Sequence, residues 1–365
     1  MDDTMRIGFD AKRAFHNARG LGNYSRDVIR ILTTYAPQNE YMLYAKPSSA
    51  YHFAGTITVA PTGLYNAIPA LWRTFGCVSQ MQGLDVFHGL SGELPYGIHR
   101  LPLLKVVTMH DAIFVRYPEL YSTTYRRLFT AKVRYALRVA DVVVAISEQT
   151  KRDLIEFFHA DERKIRVVYQ GCNNVFRQPV SLDCCEQVCR KYHLTDNFVL
   201  TVGAIEPRKN LENLIRAMAL SATKLAIVAV GGESHYAHQM LALAKQLDVK
   251  LHLLHGVPQT DLPALYKCAA VFVYPSLFEG FGIPILEAMC VGVPVLTSQG
   301  GCFPETGGEA ALYANPVCPE DIADKLQQIV TCDELRGRMM DAGRLQAAKF
   351  TDENIAENLL KLYTK

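Results

Sequence analysis

The sequence predicts an α/β chain of two doubly wound, parallel-sheet domains in tandem, and three observations carry that prediction. Short β-branched runs alternate with longer amphipathic stretches along almost the whole length. Such alternation gives parallel sheets with helices on both faces. The 365 residues suit two domains, each long enough to bury its own core. The charge also changes sign part-way: 22 Lys and Arg stand against 15 Asp and Glu up to Val180, and 16 against 21 beyond it. A basic first half facing an acidic partner or a phosphate-rich surface is one reading of that asymmetry, and solvated charge is the other.

Taken in order, strands are predicted at 6–10, 41–45, 86–88, 105–109, 142–146 and 165–169, with helices at 24–35, 122–139 and 148–158. A short mixed segment, 178–195, forms the seam. Strands follow at 198–202, 225–230, 251–254, 271–274 and 294–296, separated by helices at 210–220, 235–247, 262–268 and 284–291. From 319 to 365 the chain reads as successive helices, and Ile355, Leu359 and Leu362 recur at helical spacing. The expected division is 1–180 and 181–345, with a terminal helix at 346–365 packing back towards the first domain. Ligands of doubly wound domains sit at the carboxyl ends of the strands, so a cleft between the two is the expected site.

Composition excludes several classes. With 49% apolar and 20% charged residues the chain is not disordered. No apolar run approaches the ~18 residues that span a bilayer. The acidic start, Met1 to Thr4, leads only to a brief apolar run, so no secretory segment is read and a cytoplasmic location is expected. The ten cysteines then read as reduced thiols. Cys184, Cys185 and Cys189 cluster, but no second Cys or His pair follows at zinc-finger spacing. His235 and His238 read as exposed helix residues.

Three segments carry chemistry. In Pro275-Ser-Leu-Phe-Glu279-Gly280-Phe281-Gly282-Ile283-Pro284-Ile285-Leu286-Glu287 a loop leaves an apolar strand and enters a helix whose first turn accepts Pro284. Gly280 and Gly282 allow close backbone approach, and the helix start favours an anion such as a diphosphate. Glu279 and Glu287 can accept hydrogen bonds from sugar hydroxyls at different parts of one extended ligand. A capping loop with solvated glutamates is the bland alternative. In Thr201-Val-Gly203-Ala-Ile-Glu206-Pro207-Arg208-Lys209-Asn210 two cations precede a helix that Asn210 can cap. A phosphate would satisfy them, as would a surface pair with Glu206. In Val106-Val-Thr-Met-His110-Asp111 a histidine at a strand's carboxyl end can donate to a substrate hydroxyl or phosphate.

With Gly20-Leu-Gly22-Asn-Tyr24, Phe87-His-Gly-Leu, Pro118-Glu119, Ser147-Glu148, Val167-Val-Tyr-Gln-Gly171 and Pro304-Glu305 added in order, the chain resembles the retaining glycosyltransferases of family 4 over nearly its full length. Glu279 and Glu287 form that family's E-x7-E motif. The resemblance is to the mannosyltransferase-like branch that builds surface polysaccharides such as lipopolysaccharide. It implies a GT-B fold, two tandem doubly wound Rossmann-like domains facing a central cleft. It further implies that Arg208 and Lys209 hold the donor diphosphate and stabilise its growing charge, with Glu279 and the amides of Phe281 and Gly282 on the donor sugar. Glu287 would take the ribose, Gly256 and Val257 the base, His110 the sugar from the other domain, and Gly22 the diphosphate and acceptor. Gly20, Gly203, Gly280, Ile283 and Leu286 complete the implied donor site. Tyr169-Gln170 and Gly300-Gly301-Cys302 depart from the family pattern in loops, which leaves fine specificity open.

No Asp-x-Asp occurs in the sequence. Many nucleotide-sugar enzymes hold Mg²⁺ or Mn²⁺ with that arrangement, so metal-independent, retaining transfer without a cofactor is expected, the nucleotide sugar being a co-substrate. A dinucleotide enzyme fits poorly: Ser25 stands where a third glycine belongs, and about nine residues separate Asp10 from the glycines. The sequence also admits a nucleotide-sugar epimerase, a phosphorylase or a non-catalytic nucleotide-sugar sensor. GDP-mannose is the donor the branch suggests, and a glycan or lipid-linked glycan the acceptor; no nucleic acid is expected. Arg126, Arg127, Lys132, Arg134 and Arg138 lie in a stretch without acidic residues, on a predicted helix that could touch the inner membrane surface peripherally. An ordinary helix packed on the sheet accounts for the same pattern. The apolar stretch 64–72, with the only tryptophan, is a second candidate for membrane contact.

Overall fold

The computed structural model describes residues 4–364, so the acidic Met1–Asp3 start lies outside the described residues. Two compact units divide the chain. The first runs to Gln170 and resumes at Asp352; the second is Gly171–Thr351.

In the first unit β1 (Arg6–Asp10), β2 (Glu40–Tyr44), β3 (Thr56–Val59), β4 (Val86–Gly89), β5 (Leu104–Met109), β6 (Val142–Ala145) and β7 (Ile165–Val167) form one sheet. Its order is β3-β2-β1-β4-β5-β6-β7, and every pairing is parallel. In the second unit β8 (Phe198–Val202), β9 (Ile227–Val230), β10 (Leu251–Leu254), β11 (Ala269–Tyr274), β12 (Val295–Ser298) and β13 (Ala311–Ala314) are ordered β10-β9-β8-β11-β12-β13, again all parallel. Each order reverses beside the unit's first strand. Connections leave the sheet in opposite directions there and open a crevice at the carboxyl ends. Central strands such as Val142–Ala145 and Ile227–Val230 are buried throughout, as a sheet covered on both faces requires.

Two strands exceed the sequence expectation. β3 and β13 are edge strands only four residues long, and pairing with β2 and β12 gives each its order. The larger correction is at the early glycines. The helix starts at Gly20 and runs to Tyr35, preceded by a short helix, Lys12–His16, so Gly20 and Gly22 lie in a first helical turn and not in a loop. A Cβ on Gly22 would overlap the Asn17 carbonyl oxygen, whereas Gly20 has open space. Arg26 stitches this corner by donating from Nη1 to the carbonyls of Ala14 and Asn17 at 3.0 and 2.8 Å.

The terminal helix, Asp352–Tyr363, belongs to the first unit. It buries Ile355, Leu359 and Leu362. Its start is pinned by Arg30 Nη1 donating to Asp352 Oδ2 at 2.7 Å. Near its end the Tyr363 hydroxyl lies 2.6 Å from His88 Nδ1, and His88 Nε2 lies 2.7 Å from Thr108 Oγ1. Both ring nitrogens of a fully buried histidine are thereby satisfied, one of them by the last helix. Tyr363→Phe leaves that nitrogen unpaired, which costs about 1–3 kcal/mol. A thermal melt of the variant is expected to fall accordingly, while a melt matching wild type would show that water replaces the hydroxyl.

Candidate functional site

In the second unit, the loops after β8 and β11 emerge side by side at the reversal point. Past β8 the chain turns through Gly203, at φ +147°, into a single 3-10 turn, Pro207–Lys209, and then the helix Leu211–Leu220. Past β11 it passes Glu279 and enters the helix Ile283–Val291 through Gly282, at φ +99°, a conformation that favours glycine. This helix therefore begins on the same edge of the sheet as the two cations.

Those cations converge on one carboxylate oxygen. Arg208 Nη1 donates to Glu279 Oε1 at 2.8 Å and Lys209 Nζ to the same atom at 2.6 Å. Arg208 also donates to the Phe278 carbonyl at 2.7 Å and to Glu206 Oε1 at 2.7 Å, and Lys209 donates to the Tyr274 hydroxyl at 2.6 Å. Burial favours the protonated form of Glu279, yet the Lys209 and Arg208 charges outweigh it and hold its carboxyl below the usual range. The Glu206 pairing expected from the sequence is thus present beside the Glu279 one.

Asn210 corrects a sequence expectation. It makes no capping bond. Buried and in the left-handed region, it turns its amide to the carbonyls of Pro275, at 3.0 Å, and Pro316, at 2.6 Å. These bonds brace the loops after β8, β11 and β13 together. The backbone adds Leu277 N–H donating to the Arg208 carbonyl at 2.9 Å.

The remaining donor-site candidates spread along the same edge. Gly256, at φ +65°, and Val257 follow the edge strand β10, two strands from β8. Phe281 is buried, its ring packed against Phe350 and its carbonyl accepting from Thr306 Oγ1 at 2.5 Å. Leu286 is fully buried, so its side chain is core, while Gly280 and Ile283 are half-buried at the loop–helix junction. Glu287, half-buried, accepts from the Tyr266 hydroxyl at 2.9 Å, and burial pushes its carboxyl up to about 7. Two features are not apparent from the sequence. Tyr274 holds Lys209 from the last position of β11. Gly231, after β9, packs where a Cβ would overlap the Gly203 carbonyl oxygen; a glycine pair closing an apolar strand was the available signal.

The first unit carries His110 at the end of β5. Its Nε2 lies 2.9 Å from the Leu90 carbonyl oxygen, its ring packs edge-on against Tyr24, and burial pushes it down to about 4. A carbonyl only accepts, so Nε2 carries the proton and Nδ1 is left as an acceptor. Donation to a substrate from Nε2 would require it to leave the Leu90 carbonyl. The Tyr24 hydroxyl in turn lies 3.0 Å from Thr108 Oγ1, the atom that His88 also reaches.

The helix Thr123–Val139 buries Val133, Tyr135, Ala136 and Leu137 and exposes Arg127, Arg134 and Arg138. Tyr135 stacks on Tyr96, which stacks on Phe75, and the Arg138 guanidinium lies over the Tyr135 ring. Leu64 is 93% exposed and Phe75 56%, with Ile68 and Leu71 also outward. Trp72, in contrast, is buried, with Nε1 donating to Gln80 Oε1 at 3.2 Å, so it is not a surface anchor. Among the described residues no helix is long and apolar enough to cross a membrane.

Two family models match: Glycosyltransferase Family 4 over residues 34–174 and Glycosyl transferases group 1 over residues 190–346. The O-antigen chain mannosyltransferase B of Escherichia coli is 30% identical over 288 residues, spanning 76% of this chain and 74% of that protein. The chain is a family 4 glycosyltransferase. The O-antigen chain mannosyltransferase RfbU of Salmonella typhimurium is 30% identical over 222 residues, 60% of this chain and 59% of that one. Anabaena HepE in complex with UDP and glucose superimposes with a TM-score of 0.77 over 99% of both chains at 18% identity. Both units of this glycosyltransferase are Rossmann-like, and the fold is GT-B.

Glu287 yields a stability prediction. Folded, it keeps its proton to about pH 7, against an ordinary value of 4.5. Between those values the folded chain binds more protons than the unfolded one, so this group's contribution is complete below the lower value and is lost as pH rises through the upper. Melting temperatures measured across that interval are expected to fall less steeply with pH in Glu287→Gln than in wild type; identical slopes would refute the assignment.

Proposed function

We propose that this glycosyltransferase is a retaining, metal-independent mannosyltransferase. It takes mannose from a nucleoside-diphosphate sugar, GDP-mannose first among donors, and passes it to a glycan or lipid-linked oligosaccharide in surface-polysaccharide synthesis. The observation that carries the reading is the Arg208–Glu279–Lys209 cluster at the carboxyl ends of β8 and β11. The O-antigen mannosyltransferases among its relatives support mannose and polysaccharide as the chemistry.

The donor diphosphate takes the guanidinium and ammonium groups as charge-assisted partners. As the bond from sugar C1 to the diphosphate breaks, negative charge grows on the departing oxygen. Arg208 and Lys209 stabilise it from fixed positions, with no reorganisation at that moment. The acceptor oxygen bonds to C1 on the face the diphosphate leaves, and its proton passes to the departing diphosphate, giving a glycoside and a nucleoside diphosphate. Glu279 orients both cations and accepts from sugar hydroxyls. Glu287 takes the ribose, Gly256 and Val257 the base, and Nδ1 of His110 accepts from a substrate hydroxyl. Two fixed cations do what a divalent ion does in Asp-x-Asp enzymes.

Arg208→Ala and Lys209→Ala are each expected to lower kcat by about 10²- to 10³-fold, the loss typical when one charge-stabilising donor is removed. Wild-type transfer measured with EDTA is expected to persist, with no gain on adding Mg²⁺ or Mn²⁺; a rate restored only by those ions would overturn metal independence. In a thermal-shift panel of GDP-, UDP- and ADP-sugars, the true donor at ~100 times its dissociation constant adds about 2.7 kcal/mol of stability.

The acceptor side of the reading is peripheral docking on an anionic membrane. Arg127, Arg134 and Arg138 would face the headgroups and Leu64, Ile68, Leu71 and Phe75 the acyl boundary, joined through the Phe75–Tyr96–Tyr135 stack. Vesicles containing phosphatidylglycerol are expected to sediment the wild-type protein, and Phe75→Ser with Arg134→Glu to stay in the supernatant. Equal partitioning of wild type with neutral and anionic vesicles would remove the electrostatic part.

A further inference from the structure

At the opposite edge of the second sheet, where β8 and β11 begin, lies a group of thiols that catalysis does not use. Cys185 and Cys189 sit one turn apart on the helix Leu182–Lys191, and Cys268 ends the helix Leu262–Cys268. The chain turns back after Cys189 through His193, a non-glycine residue with positive φ, and Asp196 comes round to the thiols. Cys189 Sγ is 3.6 Å from Asp196 Oδ1. The Cys189 and Cys268 sulfurs and an Asp196 oxygen all lie within 4.8 Å of one another. Cys268 Sγ is 3.9 Å from the Cys185 carbonyl oxygen, and the Cys268 thiol is pushed up by burial and by the thiols of Cys189 and Cys185. One residue beyond Cys268, the register of β11 on β8 shifts between Ala269 and Val271, a bulge of the kind that re-aims a side chain.

We propose that Cys185, Cys189, Cys268 and Asp196 form a tetrahedral zinc site. Zinc bonds thiolate sulfur at roughly 2.3 Å and carboxylate oxygen at about 2.0–2.2 Å, so tetrahedral sulfurs stand roughly 3.8 Å apart. The separations among Cys189, Cys268 and Asp196 need only a small inward movement, and Cys185, one helical turn before Cys189, must turn its thiol in to complete the tetrahedron. Three thiolates select a soft or borderline ion over Mg²⁺ or Ca²⁺, and a mixed sulfur–oxygen tetrahedron suits zinc. Binding takes one Zn²⁺, the Asp196 carboxylate and three thiols to a four-coordinate complex of charge −2, releasing three protons. Cys185, Cys189 and the exposed Asp196 come from one stretch of chain and Cys268 from another, about 70 residues later. The ion therefore clips two helices together beneath the strands that carry Arg208, Lys209 and Glu279 at their far ends. Its role is structural, and it is separate from the diphosphate chemistry proposed above.

The test is metal content by mass spectrometry on protein expressed in zinc-supplemented medium and purified under reducing conditions without chelator. Zinc stoichiometric with the chain is expected in wild type and in Cys332→Ser, whose thiol is exposed and distant in sequence, and is expected to be lost in the double variant Cys189→Ser/Cys268→Ser. Should the double variant fail to fold, wild type stripped by a zinc-selective chelator and given Co²⁺ reports directly: a thiolate-to-cobalt absorption band and a melting temperature recovered by several degrees support the site. Metal-free wild type whose melt is unmoved by added Zn²⁺ would overturn it. So would a Cys189–Cys268 disulfide found by peptide mapping in place of metal, or a cobalt band that survives in the double variant.

Discussion

The lateral pairing of β8 with β11 is the constraint on which the second unit depends. These strands are about 70 residues apart in sequence, yet they are neighbours at the point where strand order reverses. Because their connections leave in opposite directions, the loops at their carboxyl ends meet without an intervening crossover, and one delivers two cations where the other delivers a carboxylate. Adjacent like charges cost about 4 kcal/mol at 4 Å in an effective dielectric near 20. Glu279 offsets that cost. Asn210 and the Leu277–Arg208 backbone bond hold the loops in place, so the fold itself orders the charges.

The first unit is organised around uncharged polar contacts. Thr108 lies between His88 and Tyr24, Tyr24 packs on His110, and Tyr363 closes the chain at His88. Burial pushes His88 down to about 3, so this is a network of neutral donors and acceptors whose directions are set by partner chemistry. It fixes the orientation of the His110 ring through packing and its tautomer through Leu90. Both units therefore orient polar groups at the carboxyl ends of strands, one by ion pairing and the other by a neutral relay.

Much of this is legible in the sequence because it depends on local pattern. The eleven strands predicted lie within two residues of those observed, since apolar β-branched runs bounded by turn residues specify a buried strand with little help from tertiary context. Arg208, Lys209 and Glu279 are legible as chemistry, though their convergence on a single oxygen is not; that depends on strand order, which no local window contains. The same holds for Asn210, whose sequence neighbourhood suits a helix cap but whose amide finds two carbonyls more than 60 residues away. Gly22 carries a packing constraint that the sequence does not display, since a glycine that admits a ligand and a glycine that admits a neighbouring carbonyl look alike there. β3 and β13 escape notice because edge strands borrow their order from a partner.

The first unit is discontinuous, split by the whole of the second and completed only from Asp352 onward. During translation its seven strands emerge early and must wait, with the patch on which Asp352–Tyr363 will pack still open and His88 lacking the Tyr363 hydroxyl. The inserted unit, continuous from Gly171 to Thr351, has no such dependence and can mature before Asp352–Tyr363 is made. A chain cut at the start of that helix would therefore damage the half of the enzyme made first while sparing the half made second.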